Sequence, residues 1–563
     1  MKITISRGMA SVILGLYLAL PALAQKPSKQ ANQKSYTKAI DILGASMGLL
    51  DRYFVDTVDI EQLSRHGIDA MLRSLDPYTE YYSKEDNDKL KLITTGEYGG
   101  IGSIISQRPD SIVIINEPMQ GMPADLAGLK PGDRILEVDG KDMRRATTDQ
   151  VSAILKGKPE SEISILIERF GEKKPRRFNF KRKKIVVNPV AYYGVTPKGC
   201  GYIKLTNFPN SAAKEVRHAL EELQRAQKLS ALILDLRDNG GGLMDEAVKI
   251  VSLFVPEGTE VVRTKGRPEL RQEAIYRTRS KPIAIDLPLV VLIDGESASS
   301  AEIVAGALQD MDRAVVLGTK SFGKGLVQTT MQLPHEGVLK LTTAKYYIPS
   351  GRCIQRINYN NKRGGKQVGT TPDSLARIFH TRAGRPVRDA GGIVPDLEVR
   401  QDSLPTMLYY LSYNEHVFDW ITAFTQKHGR IASARDFDLS DADYKAFGSM
   451  LEEKQFDYDR QSSKQLEALV EIARLEGYYS RVQPLLDSLK TALEPDLRHD
   501  LESLKPQIKR LLNSRIVGRY YYQRGLIERE LLHDSVIAEA DRLLSDPTAY
   551  QAVFSVNHAN NSK

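Results

Sequence analysis

Two stretches of this chain hold residues whose types and spacing could do hydrolytic chemistry. The first is DGESASSAEIVAGALQD, Asp294 to Asp310, with serines at the head of a helical run; the second is SFGKGLVQ, Ser321 to Gln328. Ser299 and Glu302 fit S-x-x-E, so one plain reading is a helix capping box. Lys324 sits between two glycines after an apolar strand, where an amine is costly unless neutral or well paired. A neutral lysine beside a serine hydroxyl is a general base. If an extended segment begins at that loop, Lys324, Leu326 and Gln328 project to one side. Gln328 could then hold the amine through its carbonyl oxygen. The plain alternatives are an exposed turn lysine and an ordinary polar strand residue.

The anion formed in acyl transfer needs fixed N–H donors. The first turn after Ser299 offers some, aided by the helix dipole. The glycines of DNGGG, Asp238–Gly242, allow close backbone approach. A phosphate loop is the rival reading of that segment, but the Lys-Ser/Thr that follows a P-loop is missing. Asp310 lies three helical turns beyond Ser299, roughly 16 Å along the axis at ~1.5 Å per residue. A Ser–base–Asp contact is therefore excluded in a continuous helix. No histidine flanks the serine, so Ser–Lys chemistry fits better than Ser–His–Asp. The nine histidines are scattered, with no HExxH and no zinc spacing, and no metal or cofactor is expected.

The elements that must position these residues are legible. LSALILDLRDNGGGLMDEAVKIVSLFV reads as buried strand, glycine loop and helix. LPLVVLIDGESASSAEIVAGALQDMDRAVVLG reads as strand, turn, helix and strand. Continuous apolar strands alternating with helices predict an α/β sheet covered on both faces. Sites in such sheets form at the carboxyl ends of strands. Gly240–Gly242 and Ser297–Ser300 are therefore expected to face one crevice. Upstream, Ile40, Leu43, Met47 and Leu50 recur at helical spacing. From about Gly96 the pattern changes to short strands and turns, as in SIVIINE, LKPGDRILEVDGKDM and ISILIERF, with a short helix at TTDQVSAILKG. After about Asp402 amphipathic helices run to the end.

A chain of 563 residues is too long for one core, and its net charge of +8 is mild. The basic run KKPRRFNFKRKK, Lys173–Lys184, reads as a solvated edge strand and linker, and no nucleic-acid partner is expected. Lys2 and Arg7, the apolar run Val12–Leu20 and the small residues Ala22–Ala24 have the form of a cleaved export leader, leaving Gln25 first. The expectation is an exported protein, in the bacterial periplasm and soluble once the leader is removed. Cys200 and Cys353 are the only cysteines and are expected to be unrelated thiols.

DLRDNGGGLMDEAV, SASSAEIVAGALQD, GTKSFGKGLVQ, LTTAKYYIPSGRCIQ and GGIVPD, in this order and spacing, resemble the carboxy-terminal processing (tail-specific) peptidase family. The resemblance covers about Gly96 to Val399. It implies Ser299 as nucleophile, Lys324 as base and Gln328 as the partner orienting it, with an oxyanion hole at Gly241 or Gly242. The family often reads S-A-S-A-S-E where this chain has S-A-S-S-A-E, and often has proline where Gly240 stands. The resemblance also implies an inserted PDZ domain, a β-rich peptide-binding module. Its carboxylate loop would be EYGGIG, with Tyr98, Gly99, Gly100, Ile101 and Gly102 as substrate-binding positions.

The expected organisation is a leader at 1–24, a helical region at 25–95, a PDZ domain at 96–182, an α/β protease core at 183–400 and a helical region at 401–563. The expected function is a Ser–Lys endopeptidase that cleaves exported proteins recognised by their C-terminal tails. The alternative is a PDZ-based peptide-binding scaffold with an inactive core. Expected partners are protein or peptide substrates, bound by the C-terminal carboxylate. A second copy could associate through the helical ends; an adaptor or activator is not identified by the sequence.

Overall fold

The computed structural model describes residues 29–555 apart from 85, 271, 360–368, 371, 401–403 and 495. The leader expected at 1–24 lies outside the described residues. Two units are distinguished, one ending at Tyr81 and one beginning at Tyr82. The first contains helices Lys29–Tyr53 and Ile60–Arg73. Asp59 caps the second of these, its carboxylate accepting the Gln62 N–H at 2.9 Å. On the first helix Ile40, Leu43, Leu49 and Leu50 are exposed.

In the second unit the apolar runs form a six-stranded sheet. Its order is Val190–Val195, Gly201–Leu205, Leu232–Asp235, Leu289–Ile293, Val315–Gly318 and Leu397–Glu398. The first pair is antiparallel and every later pair parallel. Leu232–Asp235 and Leu289–Ile293 are buried at every position, as a sheet covered on both faces requires. One face is covered by helices Ala212–Ala226, Met244–Val251 and Ser300–Asp310 through Val216, Leu220, Val251, Ile303 and Leu308. The other face is covered from far along the chain. Val536, Ile537, Ala540 and Leu543 of helix Ser535–Leu544, with Tyr550, pack on Tyr202, Ile233, Val290 and Leu292. Residues beyond 401 thus supply the second layer of the α/β core. The other C-terminal helices gather around Leu411, Phe424, Phe447, Ile508 and Ile516.

An antiparallel sheet sits beside the core. Leu326–Gln332 pairs with Val338–Tyr347, which pairs with Glu260–Lys265, which pairs with Glu273–Arg277. A further antiparallel sheet runs Ser103–Gln107, Val113–Pro118, Arg134–Val138, Glu162–Glu168, Arg176–Lys181. Ile163, Ile165 and Ile167 alternate inward on one of its strands, the period of two that the sequence displayed. Helix Thr148–Leu155 closes this barrel-like module, opened by a capping box between Thr147 and Gln150. The basic run forms the exposed edge strand Arg176–Lys181; where a linker was expected, Arg182 is buried and Lys183–Val186 is a second strand. Among the described residues no helix is long and apolar enough to cross a membrane. Cys200 and Cys353 are both free thiols.

Candidate active site

Three adjacent parallel strands deliver the site. Leu232–Asp235 leads into the glycine loop, Leu289–Ile293 into the serine turn and Val315–Gly318 into the lysine loop, all from their carboxyl ends. The loops are then joined by hydrogen bonds. Ala298 N–H donates to the Asn239 carbonyl at 2.9 Å, and Phe322 N–H to the Ser297 carbonyl at 3.0 Å. Asp238 N–H donates to both carboxylate oxygens of Asp294 at 3.1 Å. The glycine loop and the serine turn therefore do face one crevice.

The serines of the turn divide by role. Ser297 is fully buried; its hydroxyl donates to the Leu236 carbonyl at 2.8 Å and accepts the Asp294 N–H at 2.9 Å. Ser300 donates its hydroxyl to the Gly242 carbonyl at 3.0 Å. Both hydroxyls are thus engaged with backbone groups. Ser299 stands at the N-cap of helix Ser300–Asp310 with φ 57° and ψ −115°. A non-glycine residue in that conformation stores roughly 1–3 kcal/mol and is held there by its surroundings. Such sharp strand-to-helix turns expose a nucleophile at the top of a sheet.

Glu302 does most of the holding. Its carboxylate accepts the Ser299 N–H at 2.9 Å, which realises the capping relation of S-x-x-E. It is also 0% exposed, and it accepts three further donors: the Ser321 hydroxyl at 2.5 Å, Gly323 N–H at 2.7 Å and Lys324 N–H at 2.9 Å. One oxygen, Oε2, takes the amides of both Ser299 and Lys324. Burial pushes the Glu302 carboxyl above its usual range, and the four donors pull it back. Ser321 in turn accepts the Ile393 N–H at 2.6 Å, bringing in the GGIVPD segment. The Tyr346 hydroxyl donates to the Ser299 carbonyl at 3.2 Å. Sequence reading missed Glu302 in this role; the signal present was the capping motif alone.

A Cβ on Gly241 would lie 2.7 Å from Ser299 Cβ and 2.9 Å from Ser300 N, at a φ of +95°. Only glycine fits this approach. Its N–H, however, donates to Asn239 Oδ1 at 2.9 Å, so this donor is engaged. Gly242 N–H has no such partner among the described residues. Ser300 N–H, at the helix start, likewise has no such partner among the described residues.

Gln328 departs from the expected alternation. Its strand begins at Leu326, after Lys324, so the extended run from the loop that the alternation needed is not formed; the extra residue of the register shift, Thr343, lies on the partner strand. Parity along one strand therefore does not set Gln328 beside Lys324. Its Nε2 donates to Thr342 Oγ1 at 3.2 Å, leaving Oε1 to accept. Asp310 lies at the far end of its helix, paired with Arg352 at 2.8 Å and accepting the Ser350 N–H at 3.0 Å. Burial raises its carboxyl and Arg352 opposes that. It is remote from Ser299, as the helix arithmetic requires.

The tail-binding loop also differs in detail. Glu97–Gly100 is a strand paired with Lys183–Val186, so alternate N–H groups of Tyr98, Gly99 and Gly100 are spent in that ladder. Ile101 and Gly102 lie beyond that ladder. Gly102 has φ +70°, and a Cβ there would meet Met122 Cβ at 2.4 Å. The carbonyls of Ile101 and Gly102 accept Ala124 and Met119 N–H at 2.8 and 2.9 Å, fixing the loop. It leads into Ser103–Gln107, a strand at the end of its sheet order, with one edge unpaired among the described residues.

Several protein families and relatives match this chain. Residues 199–374 match the model of peptidase family S41, residues 114–169 a PDZ domain, and residues 407–544 the C-terminal helical domain of probable PDZ-proteases. The carboxy-terminal-processing protease of Bartonella bacilliformis is 35% identical over 368 residues, which is 64% of this chain and 80% of that protein. The chain belongs to the carboxy-terminal-processing protease family. The corresponding protease of a Synechocystis species is 38% identical over 295 residues, 52% of this chain and 68% of that one. Among solved structures, a photosystem II D1 C-terminal processing protease is 26% identical, covers 65% of this chain and 94% of its own, and gives a TM-score of 0.34. This serine peptidase thus joins an S41 core to a PDZ domain and a helical C-terminal region. The S41 stretch contains Gly241, Gly242, Ser299, Lys324 and Gln328.

Proposed function

We propose that this chain is a Ser–Lys endopeptidase that cleaves exported proteins presented by their C-terminal tails. The observation that carries the reading is the shared Glu302 oxygen, which fixes the backbones of Ser299 and Lys324 to one atom. In the proposed reaction the neutral Lys324 amine takes the Ser299 hydroxyl proton as the oxygen attacks the scissile carbonyl. The resulting oxyanion is met by the N–H groups of Gly242 and Ser300. The lysine ammonium then gives its proton to the departing amine, leaving an ester on Ser299. Water, deprotonated by Lys324, releases the acid product. Gln328 orients the amine by its carbonyl oxygen.

The PDZ module supplies selection. Ile101 and Gly102 N–H receive the terminal carboxylate, and the free edge of Ser103–Gln107 adds the tail as a further strand. The leader reading of residues 1–24 places the chain beyond the inner membrane, in a periplasm. The apolar residues exposed on helix Lys29–Tyr53 offer a contact for a second copy; Leu43→Glu should lower the mass seen by light scattering if they pair.

The test of the mechanism is Lys324→Arg. Arginine keeps the charge and cannot deprotonate at working pH, so peptide cleavage should be lost in a protein that folds normally. Cleavage by Lys324→Arg at the rate of the unaltered chain would remove the lysine from its role.

A further inference from the structure

The stem of the glycine loop is tied to the far end of the chain. Asp235 closes its strand at 0% exposure. It accepts the Tyr202 hydroxyl at 2.6 Å and Arg237 Nε and Nη2 at 3.0 and 2.6 Å. The remaining arm of Arg237, Nη1, donates to Asp534 Oδ2 at 2.8 Å. The other oxygen of Asp534 accepts the N–H groups of Val536 and Ile537 at 2.8 and 3.1 Å, capping helix Ser535–Leu544. The Arg237 carbonyl is itself held by Lys204 Nζ at 2.8 Å.

Arg237 is therefore fixed by both termini of its own side-chain fork, one on the sheet and one on the C-terminal layer. Beyond it the chain turns at once into the loop. Asp238 has φ 59°. Asn239 then anchors Gly241 N–H through Oδ1 and the Leu205 carbonyl through Nδ2, at 2.9 and 2.8 Å. A buried guanidinium stripped of one of its two carboxylates must find another partner or solvent. The segment it can carry along in doing so is the one that brings Gly241 to Ser299.

We propose that Asp534 is a positioning residue for the peptidase site, holding the Gly240–Gly242 loop in register with Ser299 through Arg237. The C-terminal helical region is then a working part of catalysis as well as a cover for the sheet. This rests on the reading of that loop as the oxyanion hole. The competing explanation is that Asp534 is a helix cap and nothing more.

The two separate in Asp534→Asn, which keeps a capping oxygen and removes the charge that faces Arg237. In the full chain, kcat on a peptide substrate should fall at least about tenfold, the scale of a small misplacement of reacting groups, with KM within about twofold. Affinity for a peptide aldehyde, whose adduct on Ser299 places an oxyanion in the hole, should weaken in step with kcat. Asp534→Glu, which keeps the charge, should recover part of both. Unchanged kcat and aldehyde affinity in folded Asp534→Asn would overturn the proposal, whatever happens to the melting temperature. If Asp534→Asn does not fold, Asp534→Ser, which also keeps a capping oxygen and lacks the charge, carries the test: a lowered kcat at constant KM supports the proposal and the unaltered kcat overturns it. Failure of the Ser–Lys reading looks different, since cleavage would then survive Ser299→Ala or be absent from the unaltered chain.

Discussion

At the scale of single residues, the turn holds three serines with three tasks. Ser297 and Ser300 are backbone staples, so their removal should cost stability. Ser297→Ala loses two buried hydrogen bonds and should lose about 1–3 kcal/mol, read as a lower denaturation midpoint, while the folded fraction still cleaves. Loss of all cleavage at an unchanged midpoint would contradict that division. Glu302→Gln places amide hydrogens where four donors already point. It should lower both kcat and melting temperature, and a variant equal to the unaltered chain in both would remove Glu302 from the site. Ser299 and Lys324 stood out as candidates because a serine at a helix start and a lysine between glycines are chemically conspicuous. Glu302 was not, because its sequence signature is only that of a cap; the convergence of Ser321, Gly323 and Lys324 on it is made by neighbouring strands. Gly241 was legible as a close approach, and its engaged N–H was not, since that depends on which way Asn239 turns.

At the scale of elements, the α/β units were readable from uninterrupted apolar runs such as ALILDL and LPLVVLI, which specify strands buried on both faces. That the glycine loop, the serine turn and the lysine loop leave adjacent strands follows from parallel order, and the prediction of one crevice rested on it. The parity argument for Gln328 assumed a strand running from Lys324, whereas the strand starts two residues later at Leu326, and the extra residue of its register shift, Thr343, lies on the partner strand. The segment taken as the PDZ loop is strand for four of its six residues, since Glu97–Gly100 pairs with Lys183–Val186, far along the chain. Tail recognition belongs to this scale. Amidating the C-terminus of a peptide substrate removes the charge that Ile101 and Gly102 would receive and leaves its other contacts. KM should rise severalfold with little change in kcat; identical KM for free and amidated peptides would reduce the module to packing.

At the scale of the molecule, the sequence announced a sheet covered twice without saying by what. Amphipathic helices after residue 401 carry an apolar face, and nothing in their periodicity names the surface it meets. The structure gives the answer at Cys200, which lies under the C-terminal layer, 3% exposed. Burial, and then Asp541, push its thiol from an ordinary 9.0 to about 12. The sign follows: a group whose pKa is raised on folding contributes stability below its unfolded value and loses it as pH climbs through the folded one. Cys200 therefore favours the fold fully below about 9 and progressively less toward about 12. Cys200→Ala should flatten the alkaline fall in stability across that window. Iodoacetamide should leave Cys200 unmodified in the native chain at pH 8 and modify it once unfolded; rapid native modification would mean that the layer does not stay closed.

The most direct measurement of the central claim is cleavage of a free-ended unfolded polypeptide by the purified full chain beside Ser299→Ala, with circular dichroism confirming that both are folded. The lost cap should cost at most about 1–2 kcal/mol. Removal of the nucleophile should lower kcat by about 10⁴-fold or more. Folded Ser299→Ala cleaving within about tenfold of the unaltered chain would contradict the account.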